Sequence, residues 1–192
     1  MLILASQSPR RQSLLELITP KFRVRPTGCD ETLCCADPVE HARLLALRKC
    51  AAALEQAAPE DAVIAADTVV FLDGSLLEKP ADKEEARAML QRLSGRTHRV
   101  CTGVAVAFRG ETRSFSEETE VTFYPLSRQL IDWYVSTGEP MDKAGAYGIQ
   151  GQGSLLVREI RGDYANVVGL PVSRLFRLLL ELGVPLGEGA QA

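Results

Sequence analysis

The segment "DAVIAADTVVFL" (Asp61–Leu72) decides how the rest of the chain is read. It is almost wholly apolar and rich in β-branched residues, which marks a buried strand. Two polar residues, Asp67 and Thr68, interrupt it. A carboxylate in a buried strand needs a partner, because burying an unpaired charge is very costly. Asp67 is therefore either a hydrogen-bonded residue at a strand end or bulge, or a functional group: a general base or a metal ligand.

Working outward, "CADPVEHARLLALRKCAAALEQAA" upstream reads as a helix. Asp37 caps it, Pro38 takes the first position and Glu40 completes a capping-box pattern. At 100° per residue, Val39, Ala42, Ala46, Cys50, Ala53 and Ala57 form one apolar stripe. Before it, Leu2–Ala5 reads as a strand. Ser8 and Pro9 then open a helix with Leu14, Leu15, Leu17 and Ile18 on one side. Phe22 and Val24 alternate with charge in a short strand. Downstream of Gly74 a loop leads into a helix from about Asp82 to Gly95. Residues 98–123 form a long hairpin turning at Arg109-Gly110. A helix closed by Gly138, a glycine-rich loop, a strand over 155–160 and a final helix with Pro171 at its first position follow. Strands and helices alternate around an antiparallel hairpin, which predicts an α/β fold with a mixed sheet.

The 192 residues suit one domain, or one domain with a small lobe. We take residues 1–186 as that domain and "GEGAQA" (187–192) as a frayed tail. A net charge of −3 opposes a broad surface for nucleic acid or anionic membrane, so any positive site must be local. No apolar run approaches the length of a membrane span. The N-terminal charge follows the apolar run, the reverse of a secretory signal. The five cysteines include no CxxC pair, so neither a disulfide framework nor a zinc site is expected. Reduced thiols and a cytoplasmic location are the expectation.

The cations are the more informative residues. "SQSPRR" (Ser6–Arg11) places Arg10 and Arg11 in the first turn of a helix, where the macrodipole disfavours positive charge. A bound anion would reverse that cost, since free N–H groups at a helix start already make an anion site. The alternative is that both arginines point into water. The chain holds 17 Arg but only five Lys. Lys49 flanks the core face of its helix, Lys79 precedes Pro80, and Lys143 lies in the glycine-rich stretch. Compact ammonium groups at such places fit phosphate oxygens, although each could equally decorate the surface. Glu31, in the polar segment "DETL", could join Asp67 in a magnesium-type site. Gln150, in "GAYGIQGQG", carries an amide able to read the edge of a base bidentately.

"LILASQSPRRQSLLELI", "DETL", "VIAADTVV", "LEKP", "MLQRLSGRTHRVCTGVAV", "DKAGAYGIQG" and "NVVGLP" together resemble the Maf family of nucleoside triphosphate pyrophosphatases. These motifs run in family order over nearly the whole chain. "AGAYGIQG" is similar to the branch acting on dTTP and UTP. The resemblance implies a fold shared with inosine triphosphate pyrophosphatases: an elongated mixed sheet with flanking helices and two lobes around a cleft. It implies cleavage of a nucleoside triphosphate between the α and β phosphates with Mg2+ or Mn2+, and a homodimer. It places Asp67 as proton acceptor, Glu31 and Asp67 at the metal, and Arg11, Thr68 and Gln150 at positions of substrate choice. Arg10, Lys49 and Lys79 would line the phosphates, and Ser6 and Ser8 would be the serines of the first loop. The competing readings are a nucleotide-binding regulator of septum formation and a 7-methyl-GTP pyrophosphatase.

Overall fold

The structure, a computed structural model, describes residues 1–29 and 37–186. Glu31 and the tail from residue 187 lie outside the described residues, as do the expectations placed on them. The chain runs β1 (Leu2–Leu4), α1 (Pro9–Glu16), β2 (Phe22–Val24), α2 (Pro38–Leu54), β3 (Ala62–Leu72) and β4 (Ser75–Leu77). It continues through α3 (Lys83–Leu93), β5 (Thr97–Phe108), β6 (Glu111–Phe123), α4 (Arg128–Ser136), β7 (Val157–Arg161), α5 (Tyr164–Val168) and α6 (Val172–Glu181). One mixed sheet has the order β2-β1-β3-β5-β6-β7, with β4 paired to β3. β1 is parallel to β2 and β3; the other pairs are antiparallel. The α/β class expected from the sequence is the one observed.

The local signals act as read at most helix starts. Ser8 accepts from the Arg11 amide, and Asp37 accepts from the Val39 amide, each just before a proline. Glu40 gives its carboxylate to Arg43 at 2.6 and 2.9 Å. Arg109 (φ 50°) and Gly110 (φ 81°) both take positive φ, the conformation a two-residue hairpin requires.

Four expectations are corrected. Residues 75–77 are a strand, not loop: Asp73 and Gly74, both at positive φ, reverse the chain tightly enough to pair it with β3. Residues 151–156 form a 3-10 helix, so the expected strand begins only at Val157. Pro171 stands at the cap before α6, and the short α5 precedes it. Leu17 does not join its helix's apolar side; α1 stops at Glu16 and Leu17 is 74% exposed.

β3 carries the molecule's core on both faces, and that core is broken. On one face Ala62, Ile64 and Ala66 pack with Leu15, Leu170 and Leu175. Further along the same face Val70 and Leu72 pack with Leu90, Leu93 and Tyr134. On the other face Val63 and Ala65 meet Ala46 and Cys50, while Val69 and Phe71 meet Ala42 and Cys101. The breaks fall at Thr68 and Asp67. The sheet is broken there too, since β1 pairs only with residues 62–64 and β4 only with 70–72. Residues 65–69 thus have β5 on one side and an open edge on the other.

Candidate active site

A cleft of about 440 Å³ opens at that edge. The start of α1, one side of α2, the centre of β3, the end of β4, the loop 142–150 and the end of α5 line it. Among the described residues five cations reach it, Arg10, Arg11, Lys49, Lys79 and Lys143, against three carboxylates, Asp67, Glu78 and Asp142. Apolar side chains complete the wall, among them Leu45, Leu77, Tyr147, Ile149 and Val168.

Asp67, on the α2 side of β3, is 8% exposed. Its partner is Lys49, whose Nζ donates to Oδ1 at 2.6 Å. Both side chains are 12% exposed, so this ion pair is shielded yet borders the cleft. Among the described residues Oδ2 takes no hydrogen bond. A carboxylate bonded through one oxygen at the border of a cleft can accept a proton from water.

Thr68 points to the opposite face. Its hydroxyl accepts from Arg11 Nη2 at 3.0 Å and lies 2.9 Å from Thr102 Oγ1. Thr102 spends its own hydrogen on the Asn166 carbonyl, so Thr68 must donate to Thr102. Arg11 also donates to the Gly169 carbonyl at 2.8 Å and to Ser6 Oγ at 3.3 Å. The guanidinium is therefore a crossbar joining α1, β3 and the end of α5. Arg11 nonetheless lines the cleft.

Arg10 reaches across the cleft to Asp142 Oδ2 at 3.4 Å. Asp142 also takes Lys143 Nζ at 2.6 Å. Burial alone would raise the Asp142 carboxyl, but Lys143 and Arg10 outweigh it and hold it below its ordinary range. The two arginines at the helix start are thus offset by a carboxylate from the opposite wall and by neutral oxygens.

Every described site residue expected from the sequence lines the cleft except Ser6, which stands behind it. Ser6 is 8% exposed, and its Oγ also accepts from the Ser8 amide. Lys79 and Gln150 are exposed at the cleft, and the Gly145 amide bonds the Glu78 carbonyl, tying the loop to the residue before Lys79. Sequence reasoning missed His41, Glu78, Asp142 and Tyr147 as lining residues. Asp142 adjoins Lys143 and Tyr147 lies in the same glycine-rich stretch as Gln150, so that context could have pointed to both. His41 carried no such signal.

For a metal, no three His, Cys, Asp or Glu side chains converge among the described residues. The shielded carboxylate bordering the cleft, Asp67, suits a cation such as magnesium, which takes one or two carboxylates and keeps oxygens from water and phosphate. No helix among the described residues is long and apolar enough to cross a membrane.

Comparison with known proteins agrees with this geometry. A dTTP/UTP pyrophosphatase of Symbiobacterium thermophilum is 53% identical over 98% of this chain and 97% of its own. A dTTP/UTP pyrophosphatase of Bacillus velezensis is 49% identical over 95% of this chain and 97% of its own. A HAM1 protein from Coxiella burnetii, 14% identical, shares the fold with a TM-score of 0.52, covering 94% of this chain and 98% of that one. The family model of the Maf-like proteins matches residues 1–182, and the chain belongs to that family.

Proposed function

We propose that the cleft binds a pyrimidine nucleoside triphosphate, dTTP or UTP, and hydrolyses it to the monophosphate and pyrophosphate. The observation that carries this is the Lys49–Asp67 pair bordering a five-cation cleft in a chain about half identical to dTTP/UTP pyrophosphatases. Modified pyrimidine nucleotides fall within the same reading.

Asp67 accepts a proton from water through the oxygen that Lys49 leaves open. The hydroxide attacks phosphorus, the α–β anhydride bond breaks, and the electron pair leaves on the bridging oxygen. Lys79, Lys143, Arg10 and Lys49 stabilise charge that grows on the phosphate oxygens, the main source of rate acceleration in phosphoryl transfer. Arg10 exchanges Asp142 for phosphate as substrate enters. Ser8 and its neighbouring amides offer donors at the start of α1. Gln150 meets the base edge, and Arg11 and Thr68 fix the wall on the other side. A divalent cation, Mg2+ or Mn2+, held by Asp67 and Glu31, would polarise the phosphates and lower the pKa of water.

The test is pyrophosphate release from a panel including dTTP, UTP, CTP, GTP and 7-methyl-GTP, with and without EDTA. Preferred turnover of dTTP and UTP that stops with EDTA and returns with magnesium or manganese is the expected result. Preference for 7-methyl-GTP, or binding without metal-dependent turnover, would replace this reading. A homodimer, read by sedimentation, and a cytoplasmic location accompany the proposal.

A further inference from the structure

The residue placed at the base edge, Gln150, sits in a short span pinned at both ends by side chains outside the cleft. Upstream, the Gly148 amide donates to Tyr134 Oη at 3.1 Å. Downstream, the Gln152 and Gly153 amides donate to Glu139 Oε2 and Oε1, each at 3.1 Å. The two anchors are joined, since the Tyr134 hydroxyl donates to Glu139 Oε1 at 2.9 Å. One carboxylate and one phenol thus clasp both ends of Gly148–Gly153.

The fit around the clasp is close. A Cβ on Gly153 would stand 2.0 Å from the Gly148 carbonyl and 2.6 Å from Tyr134 Oη. A Cβ on Gly151, at φ +67°, would stand 3.0 Å from Glu139 Oε2. The loop's two ends therefore meet only because residue 153 is glycine, and the positive φ at 151 favours glycine there too. Tyr134 is fully buried, and burial keeps its phenol protonated and donating. Neither Tyr134 nor Glu139 lines the cleft, whereas Tyr147, Gly148, Ile149 and Gln150 do.

We propose that Glu139 and Tyr134 are positioning residues that hold Gln150 in register for the base, a role that rests on the pyrimidine-triphosphate reading above. The carboxylate is required because it must accept from two amides and a phenol together. Glutamine offers a single acceptor oxygen and turns an NH2 toward one of those amides. Charged acceptors form the stronger hydrogen bonds, so the loss is sizeable. Of the cations placed at the phosphates, Lys143 alone adjoins this clasp, and its Nζ bonds the Glu139 backbone carbonyl at 2.6 Å, a contact that side-chain variants of Glu139 keep; Arg10, Lys49 and Lys79 stand on other segments.

The experiment measures calorimetric affinity for the non-hydrolysable α,β-methylene analogue of dTTP and, separately, for tripolyphosphate, which has no base. Wild type is compared with Glu139→Ala, Glu139→Gln, Tyr134→Phe, Gln150→Ala and the double variant of residues 139 and 150. Glu139→Ala is expected to bind the dTTP analogue about tenfold more weakly and tripolyphosphate unchanged. Glu139→Gln, which keeps one acceptor, should recover part of the loss. The double variant should be no weaker than Gln150→Ala, because both remove one recognition unit. Equal weakening of both ligands, or additive losses in the double variant, would make Glu139 a merely structural residue and overturn the proposal. Should Glu139→Ala not fold, Tyr134→Phe and Glu139→Gln carry the same comparison. Wild type that binds tripolyphosphate but not the dTTP analogue would overturn the pyrimidine reading itself.

Discussion

Gly103 is the point at which the sheet fixes the position of Lys49. It lies on β5 directly opposite Asp67. Helix α2 crosses it so closely that a Cβ there would stand 2.2 Å from the carbonyl carbon and oxygen of Ala42 and 2.4 Å from the Arg43 amide. An ordinary contact begins at 3.4 Å, so Gly103→Ala leaves the helix about 1.2 Å too near. The obstructing atoms are backbone, and no rotamer relieves them. Gly103 has no positive φ, so alanine by itself would gain about 0.4–1 kcal/mol by restricting the unfolded chain. Overpacking costs about 1–3 kcal/mol and at a backbone obstacle falls at the upper end. The net expectation is a loss of about 2 kcal/mol, or a Tm lower by about 4–8 °C for a chain of this length. The helix must move outward by about 1 Å, carrying Lys49 from its 2.6 Å contact with Asp67. Misplacement on that scale lowers kcat by about tenfold to a hundredfold. Thermal unfolding and dTTP turnover at saturating substrate read the two effects. An alanine variant as stable as wild type with unchanged kcat would refute the reasoning, because the helix would then have had room to spare.

Asp67→Asn is expected to fold, since Lys49 can still bond the amide oxygen, and to lose about a hundredfold or more in pyrophosphate release. Near-normal turnover removes Asp67 from the role of base. Gln150→Ala should narrow the preference for dTTP over other nucleotides more than it slows tripolyphosphate hydrolysis; an unaltered preference excludes Gln150 as the reader. The buried His98, bonded to Tyr147 Oη at 2.7 Å, is pushed down to about 4 by burial, from an ordinary value of 6.5. Between those values only the unfolded chain takes up the proton. Stability is therefore fully present above pH 6.5 and falls by about 3 kcal/mol as pH drops to 4. His98→Gln should be less stable at pH 7 yet lose less on acidification, so the two stability curves converge; parallel curves would contradict it.

Much of the fold is readable in the chain because local chemistry decides it. Ser8-Pro9 and Asp37-Pro38 each start a helix, and Arg109-Gly110 supplies the φ values of a tight hairpin. The apolar stripe of α2 is legible too: Ala42, Ala46, Cys50 and Ala53 are each at most 1% exposed. The short β4 is not, because its three residues pair only once Asp73 and Gly74 have turned the chain. In the site, Asp67 declares itself as the one charge in an apolar run. Its partner does not. Lys49 lies near the edge of its helix's apolar stripe, and only the crossing of α2 over β3 brings it within reach. Arg11 is readable as a cation at a helix start but not as a crossbar. Its partners, Ser6, Thr68 and Gly169, are spread over more than 160 residues of sequence.

The cleft's place follows from a mismatch of strand lengths. β3 has 11 residues, while β1 and β4 on its other edge have three each. β1 cannot run further, because after the bond from the Ala5 amide to the Ile64 carbonyl the chain turns away to start α1. Ser6 and Ser8 serve that turn: one accepts Arg11 and the Ser8 amide, the other caps the helix. β4 does not run back to meet it: it ends at Leu77, and the next carbonyl, Glu78, accepts from the Gly145 amide instead. Between them the open edge gives access to side chains from both faces of one strand. Asp67 with Lys49 comes from one face and Thr68 with Arg11 from the other. In an unbroken sheet those two pairs would lie on opposite sides of a wall. Here a single extended ligand can touch both, and a polar pair in the middle of β3 interrupts no layer of core that the fold could otherwise have completed.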